Sequence, residues 1–406
     1  MEIIPILAAL KRNKVGAILL ALQIALTLAV VANAMSIIQH NLSDLHRPSG
    51  MDEANIFTFQ NHWVGDPENL HANIDADLNA LRSMPTVVDA VATNSYPLRG
   101  GGWSWGIRLK PDQQNGGTAP TTLYFSDSHA LDAMGLKLVS GRWFTSAEIG
   151  ELHMNDVKGS PSAVLTKSLA TKLFPAANAV GQVIYLVGDY PVHVIGIVDR
   201  AQTPWPGQGF GAAFAEYSTF LPFQFVNNGM NYLVRTKTGQ LAAAMRATPD
   251  RLYQVTRQRV IDRLQPFSTT RTGHYRTQQA DSWLLATVCG LLLTITALGT
   301  IGLTTYWVGQ RRRQIGMRRA LGARRVDILR YFHTENLLIA GTGAVLGVAG
   351  GLGVNLWMAT HLGTTRMSPV YIGTGAVIVL VLSQLAVLWP AFRAASTAPS
   401  IATRGL

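Results

Sequence analysis

The sequence predicts an α-helical membrane protein with four transmembrane helices and a large α+β extracytoplasmic (periplasmic) domain between helices 1 and 2. Hydrophobic residues make up 48% of the chain, charged residues only 14%, and the mean hydropathy is +0.18. A soluble domain is usually about 25% charged, so this composition requires a membrane part. Four long apolar stretches supply it, and the polar stretch 39–281 between the first two is long enough to fold as a domain.

Each apolar stretch can cross a bilayer, which needs about 20 residues of helix. None of the four contains Lys, Arg, Asp or Glu. One Arg or Lys at the centre of a span would cost about 2.5–3.5 kcal/mol on insertion scales, so the clean interiors predict spans without an ion or proton relay. The stretches are residues 15–38, 282–308, 336–360 and 371–392.

The first stretch also resembles a secretory signal peptide, because Lys11, Arg12 and Lys14 precede it and Ala32–Ala34 matches an A-x-A cleavage site. The apolar run continues to Ile38, however, and a signal peptide has an apolar region of only about 7–15 residues. We therefore expect a retained transmembrane helix.

Basic charge collects beside the apolar stretches. Residues 39–281 hold 20 basic and 20 acidic residues, whereas residues 309–335 hold eight arginines against two acids. Cytoplasmic loops are enriched in Lys and Arg, so the pattern predicts topology and excludes nucleic-acid binding as its cause. The single Cys289 excludes a disulfide within the chain, and an outer domain without cysteine fits a bacterial envelope. We expect a multi-pass protein of the inner (cytoplasmic) membrane with both termini cytoplasmic. The predicted order is a cytoplasmic N-terminus (1–14), helix 1 (15–38), the periplasmic domain (39–281), helix 2 (282–308), a cytoplasmic coupling segment (309–335), helix 3 (336–360), a short periplasmic loop (361–370), helix 4 (371–392) and a cytoplasmic tail (393–406).

The periplasmic stretch is predicted to mix strands and helices. An Asp-Pro-Glu start at residues 66–68 precedes an apolar helical face over residues 70–81, and a Thr-Pro-Asp start at residues 248–250 predicts a helix towards Leu264. The Gly- and Pro-rich segment Ala201–Ala215 is interpreted either as a mobile loop that contacts a partner or as an ordinary connecting loop. The predicted strands are Ile56–Phe59, Thr122–Phe125, Val183–Val187, Val192–Val198 and Asn231–Arg235.

One motif in this stretch matches a catalytic pattern. Gly102–Gly106 reads G-x-S-x-G, but the nucleophile elbow of serine hydrolases needs a strand before this motif and a helix after it. Here glycines precede the motif and Ile107–Lys110 alternates like a strand, so a glycine-rich hairpin is favoured over a hydrolase that uses Ser104. The ten histidines form no metal-ligand pattern, and the sequence holds no G-x-x-x-x-G-K-[ST] phosphate loop. We expect no catalytic residue, metal site or cofactor site on this chain.

Residues 309–335 carry more arginine than membrane orientation requires. Apolar residues at helical spacing accompany the arginines, and Gly322 can end a first helix in a left-handed cap before a second helix that runs into the third span. One interpretation is a solvated basic loop on anionic lipid, and the other is a short amphipathic helix docked on a partner protein. The candidate contact residues are Arg311, Arg312, Arg313, Ile315, Arg318, Arg319, Leu321, Gly322, Val326 and Leu329.

The third span carries Gly343, Gly347 and Gly351 at four-residue spacing. Small residues at this spacing let helices approach closely in lipid. This glycine face is predicted to pack either within the chain or across a dimer.

Residues 310–340, QRRRQIGMRRALGARRVDILRYFHTENLLIA, strongly resemble the cytoplasmic signature of FtsX-like ABC-transporter permeases of the MacB type. Trp389–Ala395 resembles the P-x-x-R-A-A ending of that family, and Leu138–Thr145 resembles its L-x-x-G-R-x-F segment. Residues 162–181 and Val194–Val198 are similar to two further family stretches. The resemblance covers nearly the whole chain, in the family's order of one span, an outer domain and three spans.

The resemblance implies a permease that dimerises with an identical or paralogous permease and binds a separate ABC ATPase subunit through the basic cytoplasmic segment. ATP and Mg would then be bound by the ATPase, and membrane lipid and a periplasmic protein would be further contacts. Two positions depart from the family pattern. Gln314 stands where Glu is usual, so an expected ion pair is absent, and Arg324 stands where Ser or Thr often supplies a helix cap.

The favoured function implied by this resemblance is export of a peptide or small toxic compound, driven by ATP hydrolysis on the partner. The alternative is a mechanotransmitting regulator or sensor, or a lipoprotein-extracting permease, that pumps no substrate across the membrane. Stimulation of the ATPase by a substrate would distinguish export from regulation.

Overall fold

The computed structural model describes residues 14–65, 69–111, 118–153, 160–186, 189–207, 211, 214–361 and 367–396. They form two compact units, one made of residues 46–276 and the other of the residues up to Leu45 together with those from Thr277 onward. The helices are α1 (Lys14–His46), α2 (Leu70–Arg82), α3 (Ala130–Met134), α4 (Lys167–Leu173), α5 (Leu241–Val255), α6 (Phe267–Gln310), α7 (Arg312–Ala320), α8 (Arg325–His361) and α9 (Pro369–Ala395). The strands are β1 (Ile56–Trp63), β2 (Val87–Thr93), β3 (Trp103–Ile107), β4 (Ala119–Phe125), β5 (Leu138–Gly141), β6 (Gly150–His153), β7 (Ser162–Thr166), β8 (Val183–Tyr185), β9 (Pro191–Val198), β10 (Ser218–Leu221), β11 (Phe223–Val226), β12 (Gly229–Thr236) and β13 (Arg259–Pro266).

The predicted fold class is confirmed: α1, α6, α8 and α9 are long and apolar enough to cross a membrane, and an α+β domain lies between the first and the second. Each helix extends beyond its predicted apolar stretch. Polar contacts support the extensions, because the buried Asn41 of α1 donates hydrogen bonds to the Gln278 carbonyl and the Ser282 hydroxyl of α6 at 3.3 and 3.1 Å. Deeper in the bundle, the hydroxyls of Thr27 and Thr296 are 2.8 Å apart.

The α+β unit contains a four-stranded sheet of order β13-β1-β12-β2 and a seven-stranded sheet of order β3-β4-β10-β7-β9-β5, to which β8 adds through β9. The first sheet is antiparallel throughout, whereas β10 and β7 bring parallel pairs into the second. A parallel pair of β11 and β6 completes the strands. One apolar core, which includes Phe57, Phe125 and Tyr232, joins the buried faces of these sheets.

A buried ion pair fastens α2 to the four-stranded sheet. Asp77 of α2 and Arg259 of β13 have fully buried side chains, and the guanidinium Nη1 lies 2.7 Å from Asp77 Oδ2. The Tyr232 hydroxyl donates to the same oxygen at 3.0 Å. Burial raises the pKa of the Asp77 carboxyl, and the adjacent Arg259 opposes this shift. Breaking such a pair leaves an uncompensated buried charge, so both side chains belong to the fold.

The predicted helix from Thr248 to Leu264 is wrong. Pro249 lies inside α5, which begins eight residues before it, and β13 follows where the second half of the predicted helix would be. The Thr248 hydroxyl donates to the Ala244 carbonyl at 2.9 Å within the same helix. A proline is favoured in the first turn but is tolerated further in when the surrounding structure holds the helix. Residues Arg259–Pro266 instead pair with β1 and form an outer strand of the four-stranded sheet.

The remaining predictions for this unit concern its strands, the start of α2 and the segment Ala201–Ala215. Each of the five predicted strand runs overlaps a strand of the structure. The run Val183–Val187 is a strand only to Tyr185, and Val187 lies outside the described residues. The start signal at residues 66–68 lies outside the described residues, and α2 takes Asn69 as its N-cap, whose side chain accepts from the Ala72 N–H at 3.0 Å. The segment Ala201–Ala215, part of which is not described, begins as buried chain. There the Thr203 carbonyl accepts from Leu98 N–H, which ties the start of the segment to the chain before β3. A partner contact further along the segment stays a prediction.

Candidate functional site

The arginine segment, residues 309–335, folds as α7, a tight turn and the first turns of α8. Gly322 adopts a φ of +99°, which confirms the predicted left-handed cap. The N–H of Gly322 donates to the Arg319 carbonyl and that of Ala323 to the Arg318 carbonyl, the paired bonds of a Schellman motif. The second helix runs on into the third span, as predicted.

Arg311 is held inside the protein. Its Nη1 donates to both carboxylate oxygens of Glu335 at 3.0 and 2.8 Å and to the Tyr331 hydroxyl at 3.1 Å. Glu335 is 1% exposed, so this carboxylate requires a positive partner. The predicted ATPase contact at Arg311 is therefore first of all an internal anchor between the start of α7 and α8.

Arg318 and Arg319 also face the protein's own helices. The Arg318 guanidinium lies 5.4 Å from the centroid of the Tyr331 ring, a cation–π contact. Arg319 Nη1 donates to the Ala395 carbonyl at the last residue of α9, 3.0 Å away. A cation at this end of a helix satisfies a free carbonyl and complements the helix dipole. These contacts bind α7 to α8 and to the end of α9.

The four apolar candidates do not lie on one face. Ile315 is 6% exposed and packs in an internal cluster with Ile328, Phe332 and residues of α9, and Leu329 is half-buried against the same cluster. Leu321 is 89% exposed and Val326 51% exposed. The expectation that these four side chains share one docking stripe is therefore wrong, because Ile315 and Leu321, six residues apart, lie about 120° apart around α7, one inside and one outside.

The outward surface of the segment is basic with apolar side chains among the arginines. Arg312 and Arg313 are exposed, as are Leu321, Val326 and the 51%-exposed Met317. Met317 precedes Leu321 by one helical turn but was not among the predicted contact residues. Glu335 was not among them either, although an acid at the edge of an apolar span is itself a signal.

The two departures from the family pattern have different structural outcomes. Arg324 supplies no cap to α8, but the Asp327 side chain accepts a hydrogen bond from the Arg324 N–H at 2.9 Å. This is the reciprocal half of a capping box, so the helix start retains one side-chain contact. Gln314 is exposed at the rim of a small cavity beside Arg311.

That cavity has a volume of about 140 Å³ and lies between α7 and α8, lined in part by Ile315, Ile328 and Phe332. A cavity of this size accommodates roughly one benzene molecule, whereas pockets for drug-sized ligands measure about 300–1,000 Å³. It does not fit a substrate of that size.

The glycine face of α8 packs against α1 of the same chain. A Cβ added at Gly343 would lie 2.6 Å from the Ala21 carbonyl oxygen, and one at Gly347 would lie 2.8 Å from that of Ala25. At Gly351 the nearest atom, Ala29 Cα, would be 3.4 Å away. The structure thus assigns this face to a contact within the chain.

The G-x-S-x-G motif lies on β3, which pairs antiparallel with β4 so that Ser104 stands opposite Thr122. This confirms the predicted hairpin, although part of its connection lies outside the described residues. A strand in place of a strand–turn–helix does not form a nucleophile elbow. Across the described ranges, no three His, Cys, Asp or Glu side chains are grouped as metal ligands.

Two family profiles match the chain. The MacB-like periplasmic core domain matches residues 17–251, and the FtsX-like permease C-terminal region matches residues 286–399. Among curated proteins, the macrolide export ATP-binding/permease protein MacB of Chromobacterium violaceum is 30% identical over 58% of this chain and 35% of its own length. The protein of the same name from Azoarcus sp. is 26% identical over 68% of this chain and 40% of its own length. The chain therefore spans well under half the length of these curated relatives.

Two solved structures are also similar. The extracellular domain of the noncanonic ABC-type transporter YknZ from Gram-positive bacteria is 22% identical, with a TM-score of 0.30 over 51% of this chain and 100% of that one. The periplasmic region of MacB from Actinobacillus actinomycetemcomitans is 15% identical, with a TM-score of 0.35 over 57% of this chain and 97% of that one.

Proposed function

Because this chain belongs to the family of MacB-like, FtsX-type ABC-transporter permeases, we propose that it couples ATP hydrolysis by a separate ATPase subunit to movement of its extracytoplasmic domain. We propose that ATP hydrolysis drives export of a peptide or small toxic compound. The relatives are named for macrolide export, which supports this substrate class.

The observation that carries the proposal is the two-sided character of the arginine segment. Its inner side is tied to α8 through Arg311 and Glu335 and to the end of α9 through Arg319. Its outer side presents Leu321 and Val326 among exposed arginines. A partner that pulls on the outer side would therefore move two membrane helices.

Apolar contacts should dominate the affinity for the ATPase. Burying a Leu side chain contributes about 1.5–3 kcal/mol, whereas an exposed ion pair contributes about 0–1 kcal/mol. Leu321 and Val326 would supply the first kind of contact, and Arg312 and Arg313 the second. The arginines would chiefly guide encounter and orientation.

The remaining parts of the proposal concern the assembly. The permease would act as a dimer with an identical or paralogous permease, in a bacterial inner membrane with both termini and residues 309–335 cytoplasmic. ATP and Mg would be bound by the ATPase, which is consistent with a sequence that contains no phosphate loop.

The test is ATPase stimulation in proteoliposomes that hold the permease with its ATPase. A macrolide and a set of cationic peptides are added, and the steady-state ATPase rate is compared with that of a complex whose ATPase cannot hydrolyse ATP. Export predicts that one of these compounds raises the rate and accumulates on the opposite side of the membrane. A rate that no compound changes would contradict export and favour the regulatory alternative.

A further inference from the structure

A second groove, of about 590 Å³, lies between the first turns of α8 and the last turns of α9. Arg325 and Leu329 line one side, and Trp389, Phe392 and Arg393 line the other. Two arginines thus line the groove, and none of the described residues that line it carries a carboxylate. We propose that this groove binds the phosphodiester headgroup of an anionic glycerophospholipid.

The charge of the groove selects an anion. Arg325 and Arg393 are the charged side chains among the described residues that line it, and both are positive. The Arg393 guanidinium lies 5.7 Å from the Trp389 ring centroid, and this cation–π contact restricts the position of the charge. Guanidinium groups match the geometry of phosphate oxygens and bind them in pairs of hydrogen bonds.

The apolar wall of the groove indicates that the anion comes from the bilayer. Val381, Leu385, Trp389 and Phe392 are 52%, 57%, 59% and 58% exposed, and their spacing places them on one face of α9. This face belongs to a membrane span and continues directly into the groove wall. Acyl chains can therefore lie along the exposed face while the phosphate reaches the arginines.

The position of the groove along the span fits this occupant. Trp side chains are enriched where a span meets the headgroup region, and basic pockets between helices on the cytoplasmic side bind anionic lipid. A docked ATPase would instead have to cover a face whose other residues are those of a membrane helix. The lipid and ATPase contacts would thus use different surfaces, namely the groove and the turn at Leu321.

The test uses the full-length permease without its ATPase, so that its outcome does not depend on coupling. The protein is placed in phosphatidylcholine nanodiscs that contain an increasing fraction of one quencher lipid, which carries bromine on its acyl chains. The quencher lipid is brominated phosphatidylglycerol in one series and brominated phosphatidylcholine in the other. The quenching of Trp389 fluorescence is obtained by subtracting the tryptophan quenching measured in Trp389→Phe from that measured in the unmodified protein. Each basic residue near an anionic headgroup raises lipid partitioning about fivefold, so two arginines raise it about 25-fold. We therefore expect brominated phosphatidylglycerol to quench Trp389 at a roughly 25-fold lower lipid fraction than brominated phosphatidylcholine.

Arginine variants test whether the preference for phosphatidylglycerol over phosphatidylcholine comes from the groove. Arg325→Gln with Arg393→Gln should abolish it, and the corresponding double change to Lys should retain most of it because the charges remain. The matched control, Arg313→Gln with Arg330→Gln, removes the same charge from exposed positions outside the groove and should keep the preference. Equal quenching by the two lipids, or a preference that survives the Gln pair in the groove, would overturn the proposal.

Discussion

Gly347→Leu tests the packing of α8 on α1 in the membrane unit. A Cβ at Gly347 would lie 2.8 Å from the Ala25 carbonyl oxygen and 2.9 Å from Leu28 Cβ, distances that real Cβ atoms essentially never show. The nearest atom is backbone, so the two helices must separate. Overpacking of this kind costs about 1–3 kcal/mol for the first carbons alone, and the rest of the Leu side chain adds to it.

Gly353→Leu is the matched control, because a Cβ there meets nothing within 4 Å. Both substitutions gain the same helix propensity over glycine, about 1 kcal/mol, so the difference between them isolates the clash. The assay is thermal unfolding of the purified full-length chain in a mild detergent, with oligomeric state measured alongside. We expect Gly347→Leu to unfold well below Gly353→Leu at unchanged oligomeric state. Equal unfolding temperatures would refute the α1–α8 contact, and selective loss of a dimer would assign the glycine face to a contact between chains.

Three further predictions follow from charges and topology. Glu335→Ala should lower the free energy of unfolding by about 3–5 kcal/mol, measured by denaturation in detergent, because it leaves its arginine partner without a counter-charge. The exposed pair of Arg142 and Glu148 holds the pKa of Glu148 at about 2, below its ordinary 4.5, so it stabilises the fold above about pH 4.5 and loses this effect as the pH falls towards 2. Glu148→Gln should therefore cost at most about 1 kcal/mol at neutral pH and less at pH 2, where the Glu148 carboxyl is about half protonated, as judged by unfolding at both pH values. Cysteines placed at Lys110 and at Arg313 should react with a membrane-impermeant thiol reagent from opposite sides of the membrane, and labelling from the same side would contradict the proposed topology.

Sequence patterns were reliable where a single physical requirement decides the outcome. An uncharged stretch of 20 or more residues has few alternatives to a membrane span, so all four spans were found. The G-x-S-x-G motif was assigned to a hairpin because Ile107 and its neighbours alternate like a strand. The left-handed conformation at Gly322 followed from its place after a helical run.

Tertiary contacts explain the failures. The local signal at Pro249 favours a helix start, but the sheet and the buried Asp77–Arg259 pair, whose partners are far apart in the sequence, decide where the chain becomes a strand. Ile315 and Leu321 were expected on one apolar stripe, but six residues of helix turn the chain by about 600°, so the two side chains lie about 120° apart around α7. Periodicity does not reveal which of the two faces the protein.

The central claim is that the exposed tip of the arginine segment couples this permease to an ATPase. Its most direct test is co-purification of the ATPase with Leu321→Asp, compared with Arg312→Ala, from cells that express both subunits. We predict that Leu321→Asp loses the ATPase and that Arg312→Ala retains most of it, because a buried Leu contributes about 1.5–3 kcal/mol and an exposed ion pair about 0–1 kcal/mol. Both variants should insert normally, since the other arginines still hold the segment in the cytoplasm. Full retention of the ATPase and of its stimulated activity by Leu321→Asp would contradict the claim and leave the segment as a topology signal on lipid.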